Sequence, residues 1–158
     1  MAKAFKIPDF KPDLPLNLCI GKILKVRFSE LYLFKENCIY DNESNVEALH
    51  NMRVATRRLQ MILKLFNKFF QKNKFRVYYK RIKKIIKLSG CIREQDVLKK
   101  CLDDYKKNIP DEDKKVIDVV IARQMKIRVH GYRKLVRYLK ELDRKNFRDK
   151  FLRFIGKI

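Results

Sequence analysis

Glycine and proline, the residues that most often interrupt helices, are scarce in this chain, which has four of each among 158 residues. Three of the prolines, Pro8, Pro12 and Pro15, lie within the first fifteen residues. Residues 1–15 are therefore predicted to form an extended N-terminal lead, and the first helix is predicted to begin near Leu16. Residues 16–158 are predicted to form one domain, because they are sufficient to bury a substantial core.

Cysteine is also limited, and its four positions have neither C-x-x-C spacing nor nearby histidines. This pattern argues against a metal site, and no cofactor is expected. The absence of an apolar N-terminal segment argues against a signal peptide and hence against a secreted disulfide framework. The cysteines are instead predicted to be small buried apolar residues: Cys19, Cys38, Cys91 and Cys101.

Long apolar runs are absent, since no stretch of 18 consecutive apolar residues occurs in the sequence. A transmembrane helix needs a run of about that length or more. The sequence therefore predicts a soluble protein of the reducing cytoplasm, without a transmembrane segment.

Acidic residues are outnumbered, with 18 Asp and Glu against 40 Lys and Arg, which gives a formal net charge of +22. The charge is spread along the chain, and a hydrophobic content of 46% is compatible with a folded core. Such an excess favours a polyanionic partner, namely nucleic acid, an anionic membrane or a phosphate chain.

Apolar residues recur at helical spacing, and no strand-like alternation of useful length appears. A turn is predicted at Asp41-Asn42, and Ser44 with Glu47 forms a capping-box pattern that opens the second helix. That helix is expected to reach about Phe70. Its core-facing stripe is predicted to comprise Ala48, Met52, Ala55, Leu59, Ile62, Phe66 and Phe69.

The third helix is predicted to be interrupted at Ser89-Gly90, by a kink or by a short break. The pattern predicts an all-α, up-down helical bundle of four long helices plus a short C-terminal helix. The other expected boundaries are a break at Asn73, a third helix beginning near Lys74, a turn at 108–111, a fourth helix from about Asp113 to Asp143, and a last helix capped by Asn146.

Basic residues form rows beside these apolar stripes. On the second helix they occupy positions i, i+3, i+7 and i+8, which we assign to one face, and Glu47 is the only acid between Glu43 and Glu94. An ordinary solvated face is the alternative interpretation, but such a face mixes acids with bases. The nearly single-signed rows favour anion binding. They are His50, Arg53, Arg57 and Arg58; Arg76, Lys80, Lys83 and Lys87; Arg123, Lys126, His130, Arg133, Arg137, Lys140 and Arg144; and, more briefly, Lys22 and Lys25.

The sequence lacks features that are typical of DNA-binding and single-strand-binding proteins. No helix-turn-helix pattern with a short turn occurs, and the Phe and Tyr residues lie largely on inward stripes, so a base-stacking surface is unsupported. A phosphate chain needs only a track of Arg, Lys and His. Binding of structured RNA remains the alternative. Scattered acids and the lack of a Walker-type loop argue against an enzyme, and no catalytic residue is predicted.

Two segments resemble the CHAD family, the conserved histidine α-helical domain. Residues 46–59 resemble its signature helix, in which a His is followed by Arg at +3, +7 and +8. Residues 88–98 are similar to its second motif, an LG turn followed by R-D-x-D-V, with Glu94 where the family usually has Asp. The resemblance covers about residues 16–155. It implies a helical bundle that binds inorganic polyphosphate without catalysis.

The resemblance also implies roles for individual residues. It gives Arg93 a phosphate contact, and Asp96 is expected to orient a neighbouring Arg or His, with a surface ion pair between Arg93 and Asp96 as the alternative. Combined with the rows, the predicted polyphosphate-binding residues are His50, Arg53, Arg57, Arg58, Lys22, Lys25, Lys80, Lys83, Lys87, Arg93, Arg123, Lys126, His130, Arg133 and Arg137.

Family domains commonly contain two similar four-helix units, whereas this chain is long enough for one, half of a typical CHAD domain. A homodimer that supplies the second basic face is therefore a hypothesis. Association with polyphosphate granules in the cytoplasm is a further expectation.

Overall fold

Helices make up most of the protein in the computed structural model, which describes residues 3–40 and 45–158. They are α1 (Leu16–Tyr40), α2 (Val46–Leu65), α3 (Lys72–Lys106), α4 (Asp111–Arg144) and α5 (Phe147–Ile155), with a 3₁₀ turn at Asn67–Phe69. Since no strand occurs in the described residues, the all-α prediction is confirmed. None of the helices in this part of the chain has the length and apolar character that a membrane crossing requires.

The start of α2 differs by one residue from the predicted capping box. Asn45 is the N-cap, and its side-chain oxygen accepts a hydrogen bond from the backbone N–H of Ala48 at 2.9 Å. Asn caps helices about as well as Ser, so the chain uses the next residue along. Ser44 and the turn predicted at Asp41-Asn42 lie outside the described residues.

The expected extension of α2 to Phe70 is wrong, as is the break at Asn73. The helix ends at Leu65, where Asn67 donates a side-chain hydrogen bond to the carbonyl of Lys64 at 2.8 Å. Its stripe is buried from Ala48 to Leu59, but Phe69, beyond the helix end, is 44% exposed. Asn73 lies in the first turn of α3.

A short break at Ser89-Gly90, one of the two predicted alternatives, is wrong, because α3 runs unbroken through both residues. The Ser89 hydroxyl donates to the backbone carbonyl of Ile85 at 2.9 Å, so the buried hydroxyl is satisfied inside the helix. Packing against α2 and α4 offsets the roughly 1 kcal/mol that a glycine costs inside a helix.

Neighbouring long helices run antiparallel, as an up-down bundle requires. Between α3 and α4, the Tyr138 hydroxyl donates to the Arg81 carbonyl at 3.3 Å, and Lys106 pairs with Asp118 at 2.5 Å, so residue numbers fall on α4 as they rise on α3. Between α2 and α3, Gln60 donates to the Tyr79 hydroxyl at 3.3 Å and Arg53 lies beside Gly90, so residue numbers again run in opposite directions. Helices α2 and α4 are therefore parallel to each other.

Aromatic side chains close one end of the bundle, where α5 packs across α1 and α3. Phe28 stacks on Phe151 with ring centroids 4.2 Å apart, and Tyr78 stacks on Phe154 at 4.4 Å. Phe147 is also buried here. The predicted short C-terminal helix is confirmed and Asn146 is its N-cap, although the Asn146 side chain makes no capping hydrogen bond.

The N-terminal lead lies against α1. Arg27 donates to the Phe5 carbonyl at 3.1 Å, and the buried carboxylate of Glu30 accepts from the Phe5 backbone N–H and from Arg27. The four cysteines are free. Cys38 is buried and Cys19 is half-buried, but Cys91 and Cys101 are exposed, so the prediction of four buried cysteines is wrong for these two.

Candidate functional site: cationic surfaces of the bundle

The basic row of α2 is turned toward α3 by a close contact at Gly90. A Cβ built on Gly90 would lie 3.5 Å from Nη1 of Arg53, so the guanidinium lies against a helix surface that has no side chain at that point. Gln60, two turns further along α2, contacts Tyr79 of α3 on the same flank. We call the surface between these helices, bordered by Arg53 and Gly90, the α2–α3 groove.

His50 and Arg57 lie on the same side of α2 as Arg53, offset by about 60° and 40° around the helix axis. Arg57 is exposed, whereas His50 and Arg53 are half-buried. Arg58 lies about 140° away from Arg53, on the opposite flank of α2. The structure therefore brings three of the four signature residues together at the groove.

Helix α3 adds cations along its side of the groove. Lys83 lies two turns before Gly90 on the same face, and Lys87 lies about 60° from it. Both lysines are exposed, as is Lys80 further around the helix. Arg93 is half-buried and lines a depression with Val46 at the start of α2. The groove is thus bordered by cations from both helices.

Asp96 contacts α4 instead of the groove. Its Oδ1 accepts from Nε of Arg128 at 2.5 Å, and the side chains are only 4% and 6% exposed. The alternative surface pair between Arg93 and Asp96 is not what the structure shows. Arg128 was missed by the sequence reasoning, although a signal existed: it lies on the apolar stripe of α4, where a charged residue needs a buried partner.

The basic row of α4 lies away from the α2–α3 groove. Its C-terminal half borders a separate depression of about 790 Å³ between α4 and α1. Ile39 and Val136 contribute apolar surface there, so we call it the α1–α4 groove. Arg123, Lys126 and His130 are exposed nearer the other end of α4. The remaining basic side chains at the α1–α4 groove are Arg133, Arg137, Lys140 and Arg144.

The two lysines predicted on α1 lie near the closed end of the bundle. Lys22 donates to the backbone carbonyl of Asp9 in the N-terminal lead at 3.0 Å. Lys25 is exposed one turn further along, on the half of α1 whose Phe28 packs against α5. The structure therefore does not bring Lys22 and Lys25 into the α2–α3 groove.

Few of the predicted binding cations are neutralised within the protein. Leaving Arg58 and Arg133 aside, these residues make no ion pair with an acid in residues 3–40 and 45–158. The ion pairs that do form use other cations, such as Lys35 with Asp143 at 2.6 Å. Unneutralised cations in rows repel one another and attract an external anion.

The basic rows present hydrogen-bond donors at the surface. No three His, Cys, Asp or Glu side chains come together as a metal site within the described part of the chain. The shifted tyrosines lie at helix contacts: burial raises the pKa of Tyr32 and of Tyr138, and the ring of Tyr138 lies under the ammonium of Lys84. The arrangement supplies guanidinium, ammonium and imidazole donors for an anion.

Taken together, the fold and the surface define an all-α bundle whose outer faces carry rows of cations. The family model of the CHAD domain matches residues 30–157. The chain therefore belongs to the CHAD family, a family of helical binding domains associated with polyphosphate, and the suspected resemblance is confirmed. The match begins at residue 30, within α1, whereas the resemblance was expected to begin at about residue 16. Comparison with curated proteins gave no match.

Proposed function

We propose that this protein binds inorganic polyphosphate without catalysis, with the α2–α3 groove as the primary site. The observation that carries the proposal is the position of Arg53, which lies against Gly90 beside His50 and Arg57. These three side chains have no acidic partner in the described residues. Family membership supports the same ligand.

The proposed mechanism is electrostatic capture. Arginines at the groove offer paired N–H donors to phosphate oxygens, and the lysines of α3 add charge along the path of the chain. Each phosphate neutralised releases condensed counterions, so affinity falls steeply as salt rises. The regular phosphate spacing of the polymer requires no base-stacking surface.

The other predicted residues are assigned to a longer path. Exposed cations on α4, among them Lys126 and Arg137, extend the track for chains that pass beyond the primary groove. Lys22 and Lys25 lie farther away, so they are assigned a weaker role. Asp96 is assigned the role of holding Arg128 in place, and thereby α4 against α3.

We also propose that a second copy of the chain supplies the other basic face of the binding surface. The proposed location is the cytoplasm, at granules where polyphosphate accumulates. Structured RNA would compete for the same cations, because it also presents closely spaced phosphates.

The test is a titration with long-chain polyphosphate at two salt concentrations, comparing the wild-type protein with Arg53→Ala/Arg57→Ala. Loss of two charge-assisted contacts is expected to cost about 2 kcal/mol, a roughly thirtyfold rise in Kd. The double variant should also show a shallower salt dependence, by about one phosphate contact per arginine.

Lys72→Ala/Lys115→Ala is the matched control, because both lysines are exposed and the same charge is removed outside the groove. This control should bind nearly as well as the wild type. Equal losses in the two double variants would contradict the site, since net charge alone would then explain binding. If RNA displaced polyphosphate at the lower concentration, nucleic acid would be the preferred ligand.

A further inference from the structure

A pocket of about 540 Å³ lies at the closed end of the bundle, between the turn that follows α2 and the helices α3 and α5. Phe69 and Phe70 line it from the turn, Tyr78 lines it from α3, and Phe154 lines it from α5. The volume is in the range of small-molecule sites, which combine aromatic surface with a few polar or charged groups. We call this cavity the α3–α5 pocket.

The charged side chains of the α3–α5 pocket are all basic, since no acid is among the described residues that line it. The cations are exposed, and they are Lys74, Lys150, Arg153 and Lys157. None of the four forms an ion pair with an acid in residues 3–40 and 45–158. Lys150 and Arg153 donate to backbone carbonyls, at 2.9 and 3.4 Å. The pocket therefore carries four uncompensated positive charges and attracts an anion.

These four cations are not among the residues assigned to polyphosphate. Lys74 and Gly90 are sixteen residues apart on α3, which is about 24 Å along the helix axis. The α3–α5 pocket is therefore a site separate from the α2–α3 groove.

One aromatic ring of the pocket is left without a stacked partner. Phe154 stacks on Phe70 with ring centroids 4.7 Å apart and on Tyr78 at 4.4 Å. Phe69, in contrast, is 44% exposed, and its ring contact within the described residues is a T-shaped one with Phe66 at 6.1 Å. A half-exposed phenyl ring of this kind offers a surface on which a planar aromatic group can stack.

The ring and the cations together define the chemical class of the ligand. A phosphate chain alone would leave the ring of Phe69 uncovered. Four cations exceed the roughly two negative charges that a single phosphate group carries. A nucleoside di- or triphosphate supplies both parts, because its base is planar and aromatic and its phosphates are linked in a short chain.

We propose that the α3–α5 pocket binds a nucleoside di- or triphosphate, with the base stacked on Phe69 and the phosphates among Lys74, Lys150, Arg153 and Lys157. Because no acid lines the pocket to hold a magnesium ion, the free nucleotide is the form that binds. Binding at this pocket does not depend on polyphosphate binding, since the two sites use different residues.

The test is isothermal titration with ATP and with tripolyphosphate, both in EDTA, because the two ligands share a triphosphate but only ATP has a base. Phe69→Leu keeps an apolar side chain against Phe66 but removes the ring. It should raise the Kd for ATP about tenfold and leave that for tripolyphosphate unchanged. Phe69→Tyr retains a ring and should bind ATP like the wild type.

Tyr105→Leu is the matched control, because it removes an exposed aromatic ring from the opposite end of α3 and should leave ATP binding unchanged. Circular dichroism checks that each variant is folded. The proposal would be overturned by a wild type that does not bind ATP, by an unchanged Kd for ATP in Phe69→Leu, or by an equal rise for both ligands.

A comparison of two charge variants locates the phosphates. Arg153→Ala/Lys157→Ala removes two cations from the pocket and should raise the Kd for ATP about tenfold. Arg53→Ala/Arg57→Ala removes the same charge from the α2–α3 groove and should change the Kd for ATP by less than about twofold. An equal loss of ATP affinity in both variants would place ATP at the groove and overturn the proposal. Long-chain polyphosphate should show the opposite ranking, so failure of polyphosphate binding is distinguishable from failure of nucleotide binding.

Discussion

Cations in the interior of this bundle and cations on its outer faces are held in different ways. Arg27, Lys35 and Arg128 are largely buried, and each contacts a carboxylate of Glu30, Asp143 and Asp96, respectively. Exposed cations such as Arg57 and Lys83 have no such acid within the described residues. These interior cations are matched one to one by the chain itself, whereas exposed cations such as Arg57 and Lys83 are, under the proposed function, available to an external anion.

The largest expected effect is that of Asp96→Ala on the free energy of unfolding. This substitution removes the carboxylate that accepts the Nε–H of Arg128. Breaking a buried ion pair from one side is expected to lower the free energy of unfolding by about 3 kcal/mol. Urea unfolding followed by circular dichroism measures the change. Asp103→Ala is the matched control, because Asp103 pairs with Lys99 on the surface and should change stability by less than about 1 kcal/mol. If Asp96→Ala and Asp103→Ala lowered the free energy of unfolding equally, the distinction between interior and outer ion pairs would be wrong.

A medium-sized effect is expected for Lys126→Ala/Arg137→Ala on the outer face of α4. Short polyphosphates should occupy the α2–α3 groove alone and bind this variant as well as the wild type. Long chains that reach α4 should lose about 1 kcal/mol, a roughly fivefold rise in Kd. Isothermal titration with short and long chains measures both. A loss that is the same for both lengths would place the α4 cations at the primary site.

The smallest expected effect is the difference in stability between alanine substitutions at the helical glycines Gly90 and Gly131. At Gly90 a Cβ meets the Arg53 side chain at an ordinary 3.5 Å, whereas at Gly131 it meets Cγ1 of Ile92 at 3.2 Å. Gly90→Ala should therefore gain nearly the full helix propensity of alanine, up to about 1 kcal/mol, and Gly131→Ala should gain less because Ile92 must shift. Thermal unfolding compares the two variants. A larger gain at Gly131 would contradict the difference in packing.

Much of the fold was predictable because helices depend on neighbours along the chain. The apolar stripe of α2 and the aromatic face of α5 follow from local periodicity, and α1 begins at Leu16 after the last proline of the lead. The errors lie where tertiary packing overrides local preference. Ser89 and Gly90 signal a break by themselves, yet α3 continues because α2 and α4 pack beside them.

The candidate site was predictable only in part. The spacing of His50, Arg53 and Arg57 defines their common side, which needs only the geometry of one helix. That Arg53 lies against Gly90, or that Asp96 pairs with Arg128, depends on residues more than thirty positions apart. Nor does spacing within α4 reveal that its basic row borders α1 instead of facing α2.

That this chain is helical, strongly basic and similar to CHAD domains follows from its amino-acid sequence, because composition needs no structure and helical periodicity depends only on residues close together in the chain. Which cations are neutralised and which grooves they border depend on the tertiary structure. The physical reason is that burial and ion pairing depend on which helix faces meet. That choice is made by the free energy of packing the whole chain, not by any single helix.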